Sequence, residues 1–299
     1  MRDFSKYPLS EKELKERLAS FVPHSVQWFP GHMAKTRREL SRLVSLANVI
    51  IEVVDARIPQ SGRYRDLSSI IRNRTHVIAL TKVDLSDSAA TKNWIEHLRT
   101  PSRPIFPIDA QRGRGVRTLL NNIKRMHRPV RALVVGVPNS GKSSLINRVC
   151  FRAAARVGAR PGVTRGPQWL RADRETQFLD TPGLLWPRIE DPLQGLKLAW
   201  TGSVGENAYD AHDVGSALAL WLVHYHPDLL AARYGLTDQD MTADPETILR
   251  HVGRRLGYLM AGGAVNTAEA ARALLADFRL GRLGRITLDD PPCKSDRKD

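Results

Sequence analysis

The stretch "GVPNSGKSS", residues 136–144, constrains the fold more than any other part of this chain. Gly136, Gly141, Lys142 and Ser143 fit the spacing G-x-x-x-x-G-K-[ST]. The apolar run "ALVVGV" (132–137) precedes it and a helical pattern follows, so a strand, a glycine-rich turn and a helix are predicted in succession. The backbone N–H groups of such a turn, with the helix N-terminus, form a nest for anionic oxygens. Lys142 is then expected at the β and γ phosphates of a nucleotide, and the Ser143 hydroxyl at Mg²⁺. Ser140 and Ser144, in the turn and its first helical residues, join the expected nucleotide contacts.

The surrounding pattern is that of a parallel sheet. "NVIIEVVDA" (48–56), "HVIALT" (76–81), "PIFPID" (104–109) and "ALVVGV" read as buried strands separated by helical or turn segments. "QWLRA" (168–172) and "TQFLD" (176–180) add two more. A helix is predicted over 34–48, with Leu40, Leu43, Val44 and Ala47 on one face and Lys35, Arg38 and Arg42 on another.

"DTPG", residues 180–183, follows the last of these strands about 40 residues after the phosphate loop. Asp180 is expected to hold Mg²⁺ through water, and the Gly183 N–H to sense the γ phosphate. Thr164, in the intervening "PGVTRG", is expected to cover the ion in the triphosphate state. "ALTKVDL" (79–85) ends another strand. The Asp84 carboxylate can accept bonds from the N1–H and exocyclic amine of guanine, a donor pair that adenine lacks. The Lys82 stem would lie along the purine face. Thr81 stands where GTP-binding proteins usually carry Asn, so guanine selectivity is expected with weaker affinity. Ala110 in "IDAQ" would offer its N–H to the guanine oxygen.

The base reader therefore precedes the phosphate loop, the reverse of the ordinary order. In an open parallel sheet every ligand-binding loop lies beyond the carboxyl end of its own strand, so loops can converge whatever their sequence order. Joining old termini and opening the chain elsewhere keeps the sheet. The order points to a circularly permuted P-loop GTPase domain: a mostly parallel sheet with flanking helices. Past residue 200 strand patterning gives way to helical spacing: Val214, Leu218, Trp221, Leu222 and Tyr225, then Ile248, Val252, Leu256 and Leu259. Asn266 with Glu269 resembles a capped start for Ala271, Leu274, Leu275 and Phe278. The expected organisation is an N-terminal extension over 1–25, the permuted domain over 26–200, a small all-α domain over 201–290 and a disordered tail over 291–299.

Composition narrows the partners. Lys and Arg number 46 against 31 Asp and Glu, a formal charge of +15, which favours polyanions. No run approaches the roughly 20 apolar residues of a membrane span, and the charged N-terminus lacks a signal core. Cys150 and Cys293 make no disulfide framework, as expected for a reducing, cytoplasmic setting. The nine His and two Cys show no zinc-like spacing.

Taken jointly and in order, "VQWFPGHMAKTRREL", "VVDARIP", "TKVD", "GVPNSGKSSLINR", "RPGVTRGPQW", "LDTPGLLWP" and "GLKLAWTGS" resemble the YlqF/RbgA family over residues 26–285. Those proteins are circularly permuted GTPases that assist assembly of the bacterial large ribosomal subunit. The resemblance implies late maturation of that subunit, contact with its rRNA through the helical domain, and GTP hydrolysis stimulated by the particle. The protein is expected to be a monomer. Arg250, Arg254, Arg255, Arg279, Arg282 and Arg285 supply basic groups there. Many GTPases orient the attacking water with a Gln just after D-x-x-G, but Leu184 occupies that position and cannot hydrogen-bond. The resemblance points instead to His32, whose imidazole can orient or deprotonate water near neutral pH. It also implies that Asn139 ligates K⁺. Two alternatives stay open on sequence: a GTP-switched rRNA-binding factor with incidental hydrolysis, and a P-loop NTPase of other specificity.

Overall fold

The computed structural model describes residues 10–21, 33–64, 67–71, 73–150, 167–181, 191–241 and 244–290, with side chains described for all of these except 33–37. The predicted His32, Thr164, Gly183 and Leu184 lie outside them, as does the tail from 291. The chain divides into two units: Phe29–Arg188 with Arg285–Asp299, and Met1–Trp28 with Ile189–Gly284. The second unit opens with α1 (Glu11–Ser20), whose first turn is closed by a Ser10–Glu13 capping box.

In the first unit the order is α2 (Met33–Ser45), β1 (Val49–Asp55), α3 (Leu67–Ile71), β2 (Thr75–Thr81), α4 (Ser88–Leu98), β3 (Ile105–Ile108), α5 (Val116–Met126), β4 (Val130–Val135), α6 (Lys142–Cys150), β5 (Gln168–Asp173) and β6 (Thr176–Asp180). All six expected strands form, in one sheet of order β3-β2-β1-β4-β6-β5. Every pairing is parallel except β5 with β6. Alternation in β1 divides the core. Val49, Ile51 and Val53 pack with Leu119, Ile123, Leu145 and Ile146 of α5 and α6. On the opposite face Ile50 meets Leu40, Leu43 and Val44 of α2 and Leu67 of α3, while Val54 meets Trp94 of α4. Both faces being covered explains why these strands read as continuous apolar runs.

From β1 the chain steps outward to β2 and β3, returns through α5 to the centre as β4, then steps the other way to β6. The direction changes between β1 and β4. A doubly wound sheet opens its ligand crevice at the carboxyl ends of such neighbours.

The second unit continues with α7 (Pro192–Trp200), α8 (Ala211–Tyr225), α9 (Pro227–Tyr234), α10 (Pro245–Leu256) and α11 (Thr267–Arg279). Helix α8 packs on α1, α7, α9, α10 and α11, and every residue from Val214 to His224 is buried. Asp210, Asp244 and Asn266 cap the N-termini of α8, α10 and α11 through side-chain acceptors. The expected cap of Asn266 is there, accepting the Glu269 N–H at 3.1 Å.

Three features depart from the sequence reading. Helix α1 packs on α7 and α8 within the helical unit instead of standing as a separate extension. Helix α7, expected in the permuted domain, belongs to the helical unit, whereas residues 285–290 belong with the sheet. Leu259 does not extend α10: Gly257 turns left-handed at φ 79° and ends the helix, leaving Leu259 58% exposed.

Candidate guanine-nucleotide site

The phosphate loop runs from the end of β4 to the first residue of α6. Gly136 is needed for space, since a Cβ there would lie 2.3 Å from the Val53 carbonyl oxygen of β1. Gly141 is needed for conformation, at φ +99° with the Thr81 side chain 3.3 Å from where a Cβ would be. Asn139 also adopts a left-handed φ of 56°, a region Asn tolerates better than most residues. The buried Lys142 ammonium is held by the carbonyls of Gly136 at 3.1 Å and Val137 at 2.8 Å. Burial, partly offset by Asp180, lowers its pKa to about 8.

The base-reading loop meets this loop directly. Thr81, paired across from Asp55 at the ends of β2 and β1, donates its hydroxyl between the Ser140 carbonyl of the phosphate loop and the Val54 carbonyl of β1. The residue in the Asn position therefore ties the two loops together with one hydroxyl. Lys82 is left-handed at φ 55°. Its ammonium donates to the Asn139 carbonyl and lies 2.9 Å from Asp55 Oδ2. Asp84 is half-buried two residues on, close enough that its charge acts on Lys82. Ala110 follows β3 in the neighbouring loop, whose Ala110 and Gln111 carbonyls accept from Arg148 of α6.

Asp180 ends β6 beside Val134 of β4, 1% exposed, and its charge acts on Lys142. Ser143 stands half-buried in the first turn of α6 and Ser144 follows it. A hydroxyl and a buried carboxylate at a phosphate nest are the oxygen donors that a hard divalent ion takes, so these residues fit Mg²⁺. Thr81, Lys82, Asp84, Ala110, residues 139–144 and Asp180 thus all lie at or just after the carboxyl ends of β2, β3, β4 and β6, as the permuted order requires.

Sequence reasoning missed Asp55 and Arg57. Asp55 accepts from Arg57 Nε at 3.1 Å, Arg57 Nη2 at 2.8 Å and the Arg57 N–H at 3.0 Å, besides meeting Lys82. Burial opposes the Asp55 charge, but Arg57 and Lys82 outweigh it and hold the carboxyl far below the usual range. Burial likewise lowers the Lys82 pKa, against the pull of Asp55. Asp55 so fixes Lys82, the lysine expected from the sequence to flank the base. The signal in the sequence was a charged D-x-R directly after a buried strand.

The arginines expected to face RNA divide into two kinds. Arg279 is engaged inside the helical unit by Glu206, the Tyr209 hydroxyl and the Ala199 and Trp200 carbonyls, and Arg282 by Asp277. Arg254 and Arg255 are exposed at the end of α10. Among the described residues no helix is long and apolar enough to cross a membrane.

Comparison with known proteins agrees with this geometry. The family described as 50S ribosome-binding GTPase matches residues 131–249. Ribosome biogenesis GTPase A of Priestia megaterium is 37% identical over 89% of this chain and 97% of its own length. Mitochondrial ribosome-associated GTPase 1 of Xenopus tropicalis is 32% identical, covering 88% of this chain and 94% of its own. The crystal structure of GNP-bound YlqF from T. maritima superposes with a TM-score of 0.64 at 25% identity, over 86% of this chain and 98% of that one. With its phosphate loop, base reader and D-x-x-G strand gathered in permuted order on one sheet, the chain belongs to the ribosome biogenesis GTPase A (YlqF/RbgA) family of GTP hydrolases.

Proposed function

We propose that this GTPase binds the precursor of the large ribosomal subunit and uses GTP binding and hydrolysis to promote its late maturation, with the particle stimulating hydrolysis. The observation that carries the nucleotide half of this reading is the bonding of the base-reading loop to the phosphate loop, Thr81 to Ser140 and Lys82 to Asn139. That tie holds the Asp84 loop against the Lys142 loop, which supports one nucleotide reaching both. The ribosomal half draws support from the names of the relatives, the formal charge of +15 and the exposed Arg254 and Arg255.

In this reading Asp84 and the Lys82 stem hold guanine, with the Ala110 N–H at its oxygen. Backbone N–H groups of residues 139–144 and Lys142 hold the phosphates, and the Gly183 N–H senses the third. Ser143, Asp180 and Thr164 would hold Mg²⁺, which when bound neutralises charge building on the transferred phosphoryl group. Asn139 would ligate K⁺, so turnover should be faster in K⁺ than in Na⁺ at equal ionic strength. His32 orients the attacking water in place of the absent Gln. The D-x-x-G segment leads directly into the helical unit, so loss of the γ phosphate is passed to that unit along the chain. The helical unit binds rRNA, and the protein acts as a cytoplasmic monomer.

The test is GTP turnover with and without large ribosomal subunits. Stimulation of about 10³-fold or more is expected, the scale that help in trans reaches in this chemistry. His32→Ala should lose that stimulation while keeping wild-type GTP affinity. Unchanged turnover on adding subunits would instead favour a GTP-switched RNA-binding factor.

A further inference from the structure

Residues 285–290 leave the last helical turns of the second unit and return to the sheet unit. They lie across the two loops that follow β1 and β2. The Ile286 N–H donates to the Leu85 carbonyl at 3.1 Å, and the Leu288 N–H to the Arg57 carbonyl at 2.8 Å. Between them the Thr287 hydroxyl accepts the Asp87 N–H at 3.1 Å. Ile286, Leu288 and Asp289 are buried, at 1%, 3% and 4% exposure. Asp289 ends the segment as a clamp: Oδ2 accepts the Gln60 and Ser61 N–H groups, each at 2.8 Å, and Oδ1 accepts the Ser61 hydroxyl at 2.6 Å. The Asp289 carbonyl accepts from Trp94 Nε1 of α4 at 3.2 Å.

The two loops held this way carry the guanine-reading apparatus. Leu85 follows Asp84 immediately, and Arg57 fixes Asp55, which fixes Lys82. A loop that reads a base must be held within a fraction of an ångström, and residues behind it decide whether it is. Loops after parallel strands have no ladder partner of their own, so an extended segment donating at alternate residues supplies what the sheet does not.

We infer that residues 285–290 are a positioning strap for the guanine-reading loop, with Asp289 its anchor. This rests on the reading of Asp84 as the guanine reader. In sequence the strap follows the helical unit directly, at Gly284 to Arg285.

The strap predicts a specific pattern in Asp289→Ala. Affinities for GDP and GTP should fall alike, by about tenfold, the size of a lost hydrogen-bonded charge. The KM for GTP should rise in step while saturating turnover stays at the wild-type value. Asp289→Asn, which keeps an acceptor for the Gln60 and Ser61 N–H groups, should recover most of the affinity. Amides 82–87 should exchange faster in Asp289→Ala than in wild type. If Asp289→Ala does not fold, Thr287→Ala and Ser61→Ala each remove one bond and should raise the GDP dissociation rate. Wild-type affinity and exchange in folded strap variants overturns the proposal. Asp84→Asn run in parallel separates the two ideas: it should move preference from GTP towards xanthosine triphosphate. If it does and the strap variants bind as wild type, only the strap fails; if it does not, the guanine reading fails and takes the strap with it.

Discussion

Each unit buries a carboxylate between cations, and the two are built differently. The Asp55 side chain is 1% exposed, and its partner Arg57 is 2% exposed. The Asp277 side chain is 4% exposed, but Arg233 and Arg282, which it binds at 2.8 and 3.0 Å, are 35% and 55% exposed. The Tyr234 hydroxyl adds a third bond at 3.0 Å. Burial opposes both charges; Arg57 and Lys82 outweigh it at one site, and Arg233, Arg282 and Tyr234 at the other, so both carboxyls titrate below their ordinary range. Their stabilisation is present above the unfolded carboxylate pKa and is lost as pH falls towards the folded values. The contrast lies in the partners. Asp277 staples the last turn of α11 to α9 with cations that keep their water. Asp55 faces one cation, Arg57, that is wholly out of water and a second, Lys82, that keeps 25% of its side chain exposed, and it fixes Lys82 at the carboxyl end of β2. Stability alone does not call for that arrangement, since buried ion pairs seldom outperform apolar packing.

The most direct way to break this comparison is to delete each carboxylate. Asp55→Ala takes the carboxylate away from the fully buried Arg57, and should cost about 3–5 kcal/mol. Asp277→Ala leaves cations that can turn to solvent, and should cost about 1.5–3 kcal/mol, the range for hydrogen bonds to a charged group. Urea unfolding of both variants measures the difference. The nucleotide-free Asp55 variant should also lose GTP binding, whereas Asp277→Ala should keep it. Equal costs, or a larger cost at Asp277, would remove the distinction between a site and a staple.

A second difference concerns packing, and it also marks what the sequence could disclose. The strands, the phosphate loop and T-K-V-D were legible because each is local: an apolar run, a glycine spacing, a charge at a strand end. Asn266 was legible because a cap is a local pattern, here with Glu269 three residues on. The Asp55–Arg57–Lys82 cluster was not, since Lys82 follows on another strand and no period connects it to Asp55. The strap was hidden because its partners, Arg57, Gln60, Ser61 and Leu85, lie some 200 or more residues earlier, and a short extended segment near a chain end carries no periodicity. Helix α8 misled in another way. Its apolar residues suggested one face, but the helix is buried all round, so spacing could not reveal which neighbours come closest. The close approach is at Gly215, where a Cβ would lie 2.6 Å from Ala271 Cβ and 2.9 Å from Ala271 Cα of α11. Gly215→Ala gains helix propensity yet must separate the two helices, and should destabilise by about 1–3 kcal/mol. GTP affinity should be unchanged. Thermal unfolding with and without GDP checks both halves; a stabilised variant would mean that the α8–α11 contact yields easily.

Lys142 sharpens the comparison further, because among the described residues no lysine of the helical unit is buried. Its folded pKa of about 8 lies below the ordinary lysine value of 10.5. Between those values the unfolded chain binds more protons than the folded one, so stability of the nucleotide-free protein gains from this group as pH rises. Nucleotide binding responds with the opposite sign. On the proposed reading, phosphates beside the Lys142 ammonium favour its charged form, so above pH 8 binding must take up a proton, and below it need not. GDP affinity should therefore be level up to about pH 8 and then fall, approaching tenfold, or about 1.4 kcal/mol, per pH unit. The measurement is kept below the range in which guanine itself loses its N1 proton. Lys142→Arg, whose guanidinium does not titrate there, should bind more weakly throughout but without the break. A wild-type profile with no break would mean that the phosphate-loop lysine is already fully charged before nucleotide arrives, and that burial at this site serves packing as it does in the helical unit.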